Sequence, residues 1–266
     1  MKTAFKIFRI VVLVICVAVF IVSAAMLVKI LIGYSRADNF YDDINAGFEN
    51  VSYDSDSDTD KAPQRLVELS KYVGELKEEY PDVVGFVNVP TLGISYPVVQ
   101  TDNNDYYLNH LINGEESASG SVFLDYRIDS DPQNSKNVVL YGHNMNDGSM
   151  FHKIEKFYSD RSLFDNATVE YVTEDGIFIY EPLCLYRCNA FYPFHKYEFV
   201  SDESFLAFCD MICEKGFYLS DAEYDENSSL ISFATCVNSI TNKDARYIYH
   251  AVLTEAYTNV HTEAVE

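Results

Sequence analysis

From Val83 onward the chain is a succession of short apolar runs separated by glycine and polar turns, and this pattern constrains the fold more than any other feature. The runs are rich in valine, isoleucine, tyrosine and phenylalanine, which favour strands. The predicted strands are Val83–Val89, Ile94–Val99, Ser121–Leu124, Val138–Tyr141, Thr168–Thr173, Ile177–Arg187, Leu230–Thr235 and Arg246–Glu255. Short strands at this density predict a mainly β fold, either a closed antiparallel-rich barrel or a sandwich.

Four segments carry helical signals. Residues Ala62–Tyr80 place apolar side chains at helical spacing with charges between them, and Pro81 ends the segment. We expect this amphipathic helix to pack on the domain. A short helix is predicted over Asn39–Asn50, and further helices at Met150–Tyr158 and Asp202–Lys215 interrupt the strands.

The amino-terminal segment contains an uncharged apolar run of 19 residues, Ile10–Val28, preceded by Lys2, Lys6 and Arg9. As a helix this run can span a bilayer, and the basic flank favours an amino terminus in the cytoplasm. The predicted division is a cytoplasmic amino terminus at 1–9, a transmembrane signal anchor at 10–32 and an acidic extracellular spacer at 33–61. A cleavable signal peptide ending near Ser23-Ala-Ala25 is the alternative, and in both cases the remaining chain is exported.

The formal net charge of −22 argues against a nucleic-acid partner, because a phosphate backbone requires a basic surface. Much of the excess lies between Asp38 and Asp60, and Asp54–Asp60 alternates aspartate with serine or threonine. Calcium loops show similar alternation, but this run lacks their glycine and terminal glutamate. We interpret it as a solvated spacer and predict no metal and no cofactor.

Four cysteines form two pairs that are close in sequence, Cys184 with Cys188 and Cys209 with Cys213. Disulfides among them are compatible with an exported domain. A four-cysteine zinc site is the other alternative, although the spacing lacks the tight knuckle of two intervening residues. Buried free thiols are our preferred interpretation of these four. Of the other two cysteines, Cys16 lies in the apolar run Ile10–Val28, and the last follows the predicted strand Leu230–Thr235.

That cysteine, Cys236, ends one predicted strand, and Arg246 begins the next. A thiolate is the reactive form of cysteine, and a permanently charged guanidinium stabilises negative charge on sulfur or on a carbonyl oxygen under attack. His143 follows the strand Val138–Tyr141 and Gly142, at a strand end, where catalytic groups commonly lie. We therefore predict a Cys-His-Arg constellation that requires no acidic residue.

Several motifs occur in an order and spacing known from one family. They are Tyr141-Gly-His143-Asn-Met, Gly148-Ser-Met-Phe151, Thr235-Cys236 and Arg246, preceded by Tyr96-Pro-Val-Val-Gln100, Asp102–Leu108 and Gly120–Arg127. Together they resemble the sortases, cysteine transpeptidases of Gram-positive cell surfaces, and among them class B, over roughly residues 65 to 255. The family's usual Thr-Leu-x-Thr-Cys is Ser232-Phe-Ala-Thr-Cys236 here, a departure that bears on the substrate groove more than on the chemistry.

The resemblance implies a closed β-barrel of about eight strands, with amino-terminal helices and a helix before the cysteine strand. Residues 62–258 would form the catalytic domain and 259–266 a carboxy-terminal tail. Carried over residue by residue, the resemblance makes Cys236, His143 and Arg246 catalytic, and Thr235, Asn104, Leu108 and Tyr141 substrate-binding.

The activity implied by the resemblance is transpeptidation by a membrane-anchored enzyme. The Cys236 thiolate attacks the carbonyl after threonine in a carboxy-terminal sorting signal, Arg246 and a backbone amide stabilise the oxyanion, and His143 protonates the leaving amine. An amine then resolves the thioester. The implied partners are surface proteins that carry the signal, and either a peptidoglycan peptide amine on a lipid-linked precursor or a pilin lysine as acceptor.

Alternatives stay open at this point. A hydrolytic cysteine peptidase would use the same residues with water as acceptor, a pilin-polymerising sortase would use a pilin lysine, and a catalytically silent wall-binding protein would keep the barrel without the chemistry. Asp125, Asp244 and Asn238 are each open as a partner of the histidine or as structural groups. The remaining histidines are interpreted as surface or core groups: His110, His152, His195, His250 and His261.

Overall fold

A computed structural model describes residues 2–53, 62–237 and 244–258 of the chain. Its strands are β1 (Val83–Val89), β2 (Ile94–Val99), β3 (Val122–Leu124), β4 (Asn137–Tyr141), β5 (Val169–Val172), β6 (Gly176–Asn189), β7 (Tyr218–Leu219), β8 (Leu230–Cys236) and β9 (Ala245–Thr258). Its helices are α1 (Lys2–Tyr53), α2 (Ala62–Glu79), α3 (Glu155–Ser159), α4 (Arg161–Asp165) and α5 (Asp202–Glu214).

The strands form a closed barrel, and the alternative of a sandwich is excluded. Within the described residues the sheet order is β5-β1-β2-β3-β4-β8-β9-β6-β7, and a further antiparallel pairing of β5 with β6 closes a ring of eight strands. The two-residue β7 extends β6 outside the ring. The predicted mainly β fold and closed barrel are thus confirmed.

Two of the pairings are parallel, β2 with β3 and β4 with β8. In the second, Tyr141 at the end of β4 lies opposite Ala234, two residues before the end of β8. Parallel strands end at the same edge of a sheet, so the residues that follow Tyr141 meet those that follow Ala234. This pairing positions the candidate site.

Strand β8 separates two hydrophobic clusters. Ile231 and Phe233 belong to the barrel interior, whereas Leu230 and Ala234 belong to a second cluster that packs beneath α5. Successive side chains of a strand point to opposite faces, so Cys236 follows Leu230 and Ala234 toward the α5 side. It is the exposed residue of an otherwise buried strand.

Helix α5 confirms the helix predicted before the cysteine strand. The Ser201 side chain accepts a hydrogen bond from the Ser204 backbone N–H, and the Ser204 side chain bonds the Ser201 backbone in return, which satisfies amide groups at the helix start. Phe205, Phe208 and Ile212 are buried against β6, β8 and β9. The helix predicted at Met150–Tyr158 is instead a 3₁₀ turn followed by α3.

Helix α1 differs from the prediction for the segment 33–61. The helix continues without a break to Tyr53, and Ala37, Tyr41, Ile44 and Phe48 on one face are buried on the barrel. The Tyr41 hydroxyl donates to the Gly120 carbonyl at 3.0 Å, and the Phe48 ring stacks on Phe86 with centroids 4.0 Å apart. The first part of the predicted acidic spacer is therefore a packed helix, which includes the short helix predicted over Asn39–Asn50, because its apolar residues recur at helical spacing.

Three predictions fall outside the described residues. They concern the acidic run Asp54–Asp60, the side-chain role of Asn238 and the tail at 259–266.

Candidate active site

The loop that carries His143 leaves β4 at the edge shared with β8. The Gly142 amide donates to the Ala234 carbonyl at 3.3 Å, and a Cβ atom at Gly142 would come within 2.8 Å of the Phe151 ring. The loop is fastened on its far side by the Phe151 amide, which donates to the His143 carbonyl at 2.9 Å. Glycine is required here because the loop crosses the ring so closely.

His143 is half-buried, and its ring is oriented by one bond. The Nε2 atom lies 2.7 Å from the carbonyl oxygen of Leu108. A carbonyl can only accept, so Nε2 carries a proton and donates to Leu108. Nδ1 is then the ring nitrogen that can exchange a proton with a bound molecule.

Cys236 and Arg246 are direct neighbours across the β8–β9 ladder. Side chains of such a pair stand on the same face with Cβ atoms about 5 Å apart. On its other side Arg246 is paired with Cys188 of β6, and its Nη1 donates to the Ala245 carbonyl at 3.0 Å. Arg246 is thereby fixed by its strand pairing directly next to Cys236 in the ladder.

These groups open on one cavity of about 340 Å³. All seven predicted site residues line it: Cys236, His143, Arg246, Thr235, Asn104, Leu108 and Tyr141. The cavity is also lined by residues that were not predicted as site residues: Phe123, Arg127, Gly142, Ala190, Phe194, His195 and Ala234. The structure therefore brings together residues that are more than a hundred positions apart in the chain.

A family model described as a sortase domain matches residues 87–254, which include every one of the seven. The chain belongs to the sortase family. It is 30% identical over 171 residues to Sortase B of Listeria monocytogenes, covering 64% of this chain and 68% of that one. It is 24% identical over 167 residues to Sortase B of Staphylococcus aureus, covering 63% and 68%.

Solved structures of class B sortases share the fold. Sortase B from B. anthracis in complex with AAEK1 superposes with a TM-score of 0.71 and 26% identity, covering 85% of this chain and all of that chain. The Staphylococcus aureus sortase B–substrate complex gives a TM-score of 0.73 at 20% identity, covering 84% and 99%. Sortases are cysteine transpeptidases, and this class B sortase is accordingly an enzyme.

Four of the predicted residues are held in different ways in this sortase. The Asn104 side-chain oxygen accepts from the Tyr126 amide at 3.0 Å, and Leu108 supplies the carbonyl that orients His143. The Tyr141 hydroxyl donates to Asp125 at 2.9 Å. Thr235 is buried, and its hydroxyl has no hydrogen-bond partner among the described residues.

Asp125 is a structural anchor of the cavity wall. Its carboxylate is fully buried and accepts from Arg127 Nε at 2.8 Å, from Arg127 Nη2 at 2.7 Å and from the Tyr141 hydroxyl. Burial raises the pKa of Asp125, but these hydrogen bonds and the Arg127 charge outweigh it and hold the pKa below its usual value. Its contacts thus go to Arg127 and Tyr141 and not to His143.

Asn144, the residue after His143, ties the histidine loop to the nucleophile. Its Nδ2 donates to the Cys236 carbonyl at 2.8 Å and to Glu155 Oε1 at 2.5 Å, and its Oδ1 lies 2.6 Å from His152 Nδ1. Sequence reasoning missed these roles of Asn144 and His152. The asparagine that follows Tyr141-Gly-His143 in the motif was the sequence signal that could have indicated a role for Asn144.

His195 lies on the cavity wall, although the sequence pattern predicted an ordinary surface or core group. Burial and then the Arg127 charge lower the pKa of His195. The cysteines among the described residues are all free. In the described part of the chain, no group of three or more His, Cys, Asp or Glu side chains is arranged to hold a metal ion.

Proposed function

We propose that this sortase cleaves a carboxy-terminal sorting signal after threonine and transfers the resulting acyl group to an amine. The observation that carries the proposal is the direct pairing of Cys236 with Arg246 at a cavity that the His143 loop also lines. A thiol, a permanent cation and a titratable ring facing one cavity are the parts that acyl transfer through a thioester needs.

In the first half-reaction the Cys236 thiolate attacks the threonine carbonyl carbon, and the carbonyl electrons move onto oxygen. Arg246 stabilises this oxyanion together with a backbone amide. The C–N bond then breaks, His143 passes to the leaving amine, from Nδ1, the proton that it took from the Cys236 thiol, and a thioester remains on Cys236. The half-buried histidine and the fixed guanidinium support these two roles.

In the second half-reaction an amine attacks the thioester and returns the thiolate, while His143 takes the surplus proton. We propose a peptidoglycan peptide amine on a lipid-linked precursor as acceptor, with a pilin lysine as the alternative within the same chemistry. One solved structural neighbour is sortase B complexed with triglycine, whose amino group belongs to this class of nucleophile.

Helix α1 supports anchoring in the membrane. Among the described residues it is long and apolar enough, over Phe5–Asn50, to cross a bilayer by length and composition, and the apolar side chains of its first part are exposed. We propose that residues 10–32 span the membrane, with the basic segment 1–9 in the cytoplasm and the barrel outside the cell.

The test is turnover of fluorogenic peptides of the forms Leu-Pro-x-Thr-Gly, Asn-Pro-x-Thr and Ser/Pro-Pro-x-Thr-Gly, with and without an added amine. A transpeptidase releases the carboxy-terminal fragment and forms an amide product whose yield grows with amine concentration. Because Cys236 is exposed to solvent, water also reaches the thioester, so the ratio of amide to acid product separates transfer from a hydrolytic peptidase. Failure to cleave any peptide, with Cys236 unreactive toward a methanethiosulfonate, would favour a silent wall-binding protein.

A further inference from the structure

Four buried polar side chains form a line beneath the candidate active site. They are Tyr186 on β6, His250 on β9, Ser232 on β8 and Asn137 on β4, four strands that are neighbours in the barrel. Each strand contributes one member, and Ser232 lies directly opposite His250 in the ladder. Polar groups are costly inside a protein unless each finds a partner, so the order of their bonds can be derived.

The bonds run in one direction. The Ser232 hydroxyl donates to Asn137 Oδ1 at 2.5 Å, so Ser232 Oγ must accept from His250 Nδ1, which lies 2.6 Å away. With Nδ1 protonated, the neutral ring accepts at Nε2 from the Tyr186 hydroxyl at 2.9 Å. Burial lowers the pKa of His250 to about 3, in agreement with a neutral ring. We call these four side chains the buried relay.

The last donor of the buried relay, the Asn137 side-chain amide, bonds to backbone outside the barrel strands. Asn137 Nδ2 lies 2.8 Å from the Lys196 carbonyl and 3.4 Å from the Phe194 carbonyl. These carbonyls belong to the segment 190–198, which joins β6 to the residues before α5 and has neither helix nor strand structure. We call residues 190–198 the wall segment, because Ala190, Phe194 and His195 line the cavity together with Cys236.

The backbone of the wall segment has few other long-range hydrogen bonds, although the Tyr192 hydroxyl donates to the Met211 carbonyl at 3.1 Å and the Phe194 ring is buried in the cluster beneath α5. Its backbone bonds at Tyr192, Phe194 and Lys196 reach only two or three residues back, and the Ala190 amide donates to the Asp244 carbonyl at 2.7 Å. Asn137 therefore connects the middle of the wall to a fully hydrogen-bonded core network. Such networks are rigid when every member is satisfied and lose that rigidity when one member is removed.

We propose that Asn137, Ser232 and His250 are positioning residues that hold the Phe194–Lys196 backbone in the shape that accepts the sorting signal. This inference rests on the proposed function, and it assigns the buried relay to substrate binding and not to the chemical steps. Loss of the relay should therefore weaken binding of the peptide and leave the reactivity of Cys236 intact.

Two variants and one control test the proposal in the full chain. Asn137→Leu keeps the approximate volume but removes the donor to the wall, and Ser232→Ala removes a single hydroxyl from the middle of the relay. Ser70→Ala is the matched control, because Ser70 is buried on α2 and its hydroxyl has no partner among the described residues. Ser232→Ala is the milder of the two changes and provides a folded variant if Asn137→Leu does not fold.

We expect each relay variant to raise KM for the best sorting peptide about tenfold, the effect of one lost hydrogen bond, with kcat within about threefold of wild type. The rate at which a methanethiosulfonate modifies Cys236 should not change. Amide hydrogen exchange should accelerate in peptides covering 190–197 and stay at the wild-type rate in α5. The control should match wild type in all four measurements.

A KM within about threefold of wild type, or unchanged exchange at 190–197, would overturn the assignment. The exchange measurement needs no substrate. If wild-type enzyme cleaves no peptide, the proposed function fails, whereas the exchange result still decides whether the relay holds the wall.

Discussion

Replacement of Arg246 by lysine tests the electrostatic part of the mechanism. Lysine keeps the positive charge but has a compact ammonium on a flexible stem, whereas the guanidinium is a planar fork with fixed donors. Here one arm of that fork is fastened to the Ala245 carbonyl, and strand pairing places the residue beside Cys236. Lysine cannot keep that bond and present a second donor with the same geometry.

The expected loss is that of one oxyanion donor, about 2.7–4 kcal/mol, which corresponds to a fall of roughly a hundredfold to a thousandfold in kcat. KM should change by less than about threefold, because the interaction forms mainly in the transition state. Arg187→Lys is the matched control. Arg187 lies on the adjacent strand β6, is exposed and stacks over the Tyr247 ring at 5.0 Å, and it does not line the cavity.

The assay measures steady-state constants and the melting midpoint on one preparation of each variant. An Arg246→Lys enzyme that melts earlier than wild type but turns over normally at low temperature would refute the reasoning and make Arg246 a structural residue. A comparable fall in kcat for Arg187→Lys would show that the loss is not specific to the cavity.

Three further predictions concern the catalytic residues, the buried Asp125 and the membrane topology. Cys236→Ala should abolish turnover and thioester capture, and His143→Ala should lower turnover at least about a hundredfold; near-normal rates in peptide cleavage would contradict either role. The pKa of Asp125 is depressed in the folded protein, so the stability it contributes is present above about pH 4 and is lost as pH falls through its folded value. Urea unfolding from about pH 6 to about pH 3 should therefore show a shallower loss of stability for Asp125→Asn, and parallel curves would disprove that linkage. In intact cells, external protease should remove the catalytic domain and leave a tagged amino terminus protected; a shielded domain would refute the proposed topology.

The β8–β9 half of the site could be predicted from local pattern alone. Two strands rich in β-branched and aromatic residues, joined by a short polar stretch, lead to antiparallel pairing, and this places Cys236 near Arg246. The position of His143 could not be obtained in this way. His143 was selected by its strand-end position and by the family resemblance, whereas its place beside β8 depends on the parallel pairing of β4 with β8, strands separated by nearly ninety residues.

The acidic composition of residues 33–61 gave no indication that one face of α1 packs on the barrel. Residues 37, 41, 44 and 48 are apolar at helical spacing, and a short helix was predicted over Asn39–Asn50, but the segment was assigned to an acidic spacer. The helix was therefore predicted in part, whereas its packing on the barrel was not.

No sequence pattern indicated the buried relay. Ser232 and His250 are polar residues within predicted strands and Asn137 directly precedes one, and only the relative placement of four strands shows that they are bonded to one another.

If residues 10–32 span the membrane as proposed, the packing of α1 on the barrel limits where the enzyme can act. Tyr34 already packs partly buried against the barrel core, and the buried residue Ala37 is only five residues beyond the end of that anchor, a rise of about 7.5 Å along the helix. A barrel joined to its anchor by a continuous helix, so close to the bilayer, would keep its active site at a nearly constant distance from the membrane surface. A substrate anchored in the same membrane would then have to place its threonine carbonyl at that distance from the membrane surface. The number of residues between its anchor and its cleavage site would therefore limit which substrates are cleaved, whatever the recognised sequence.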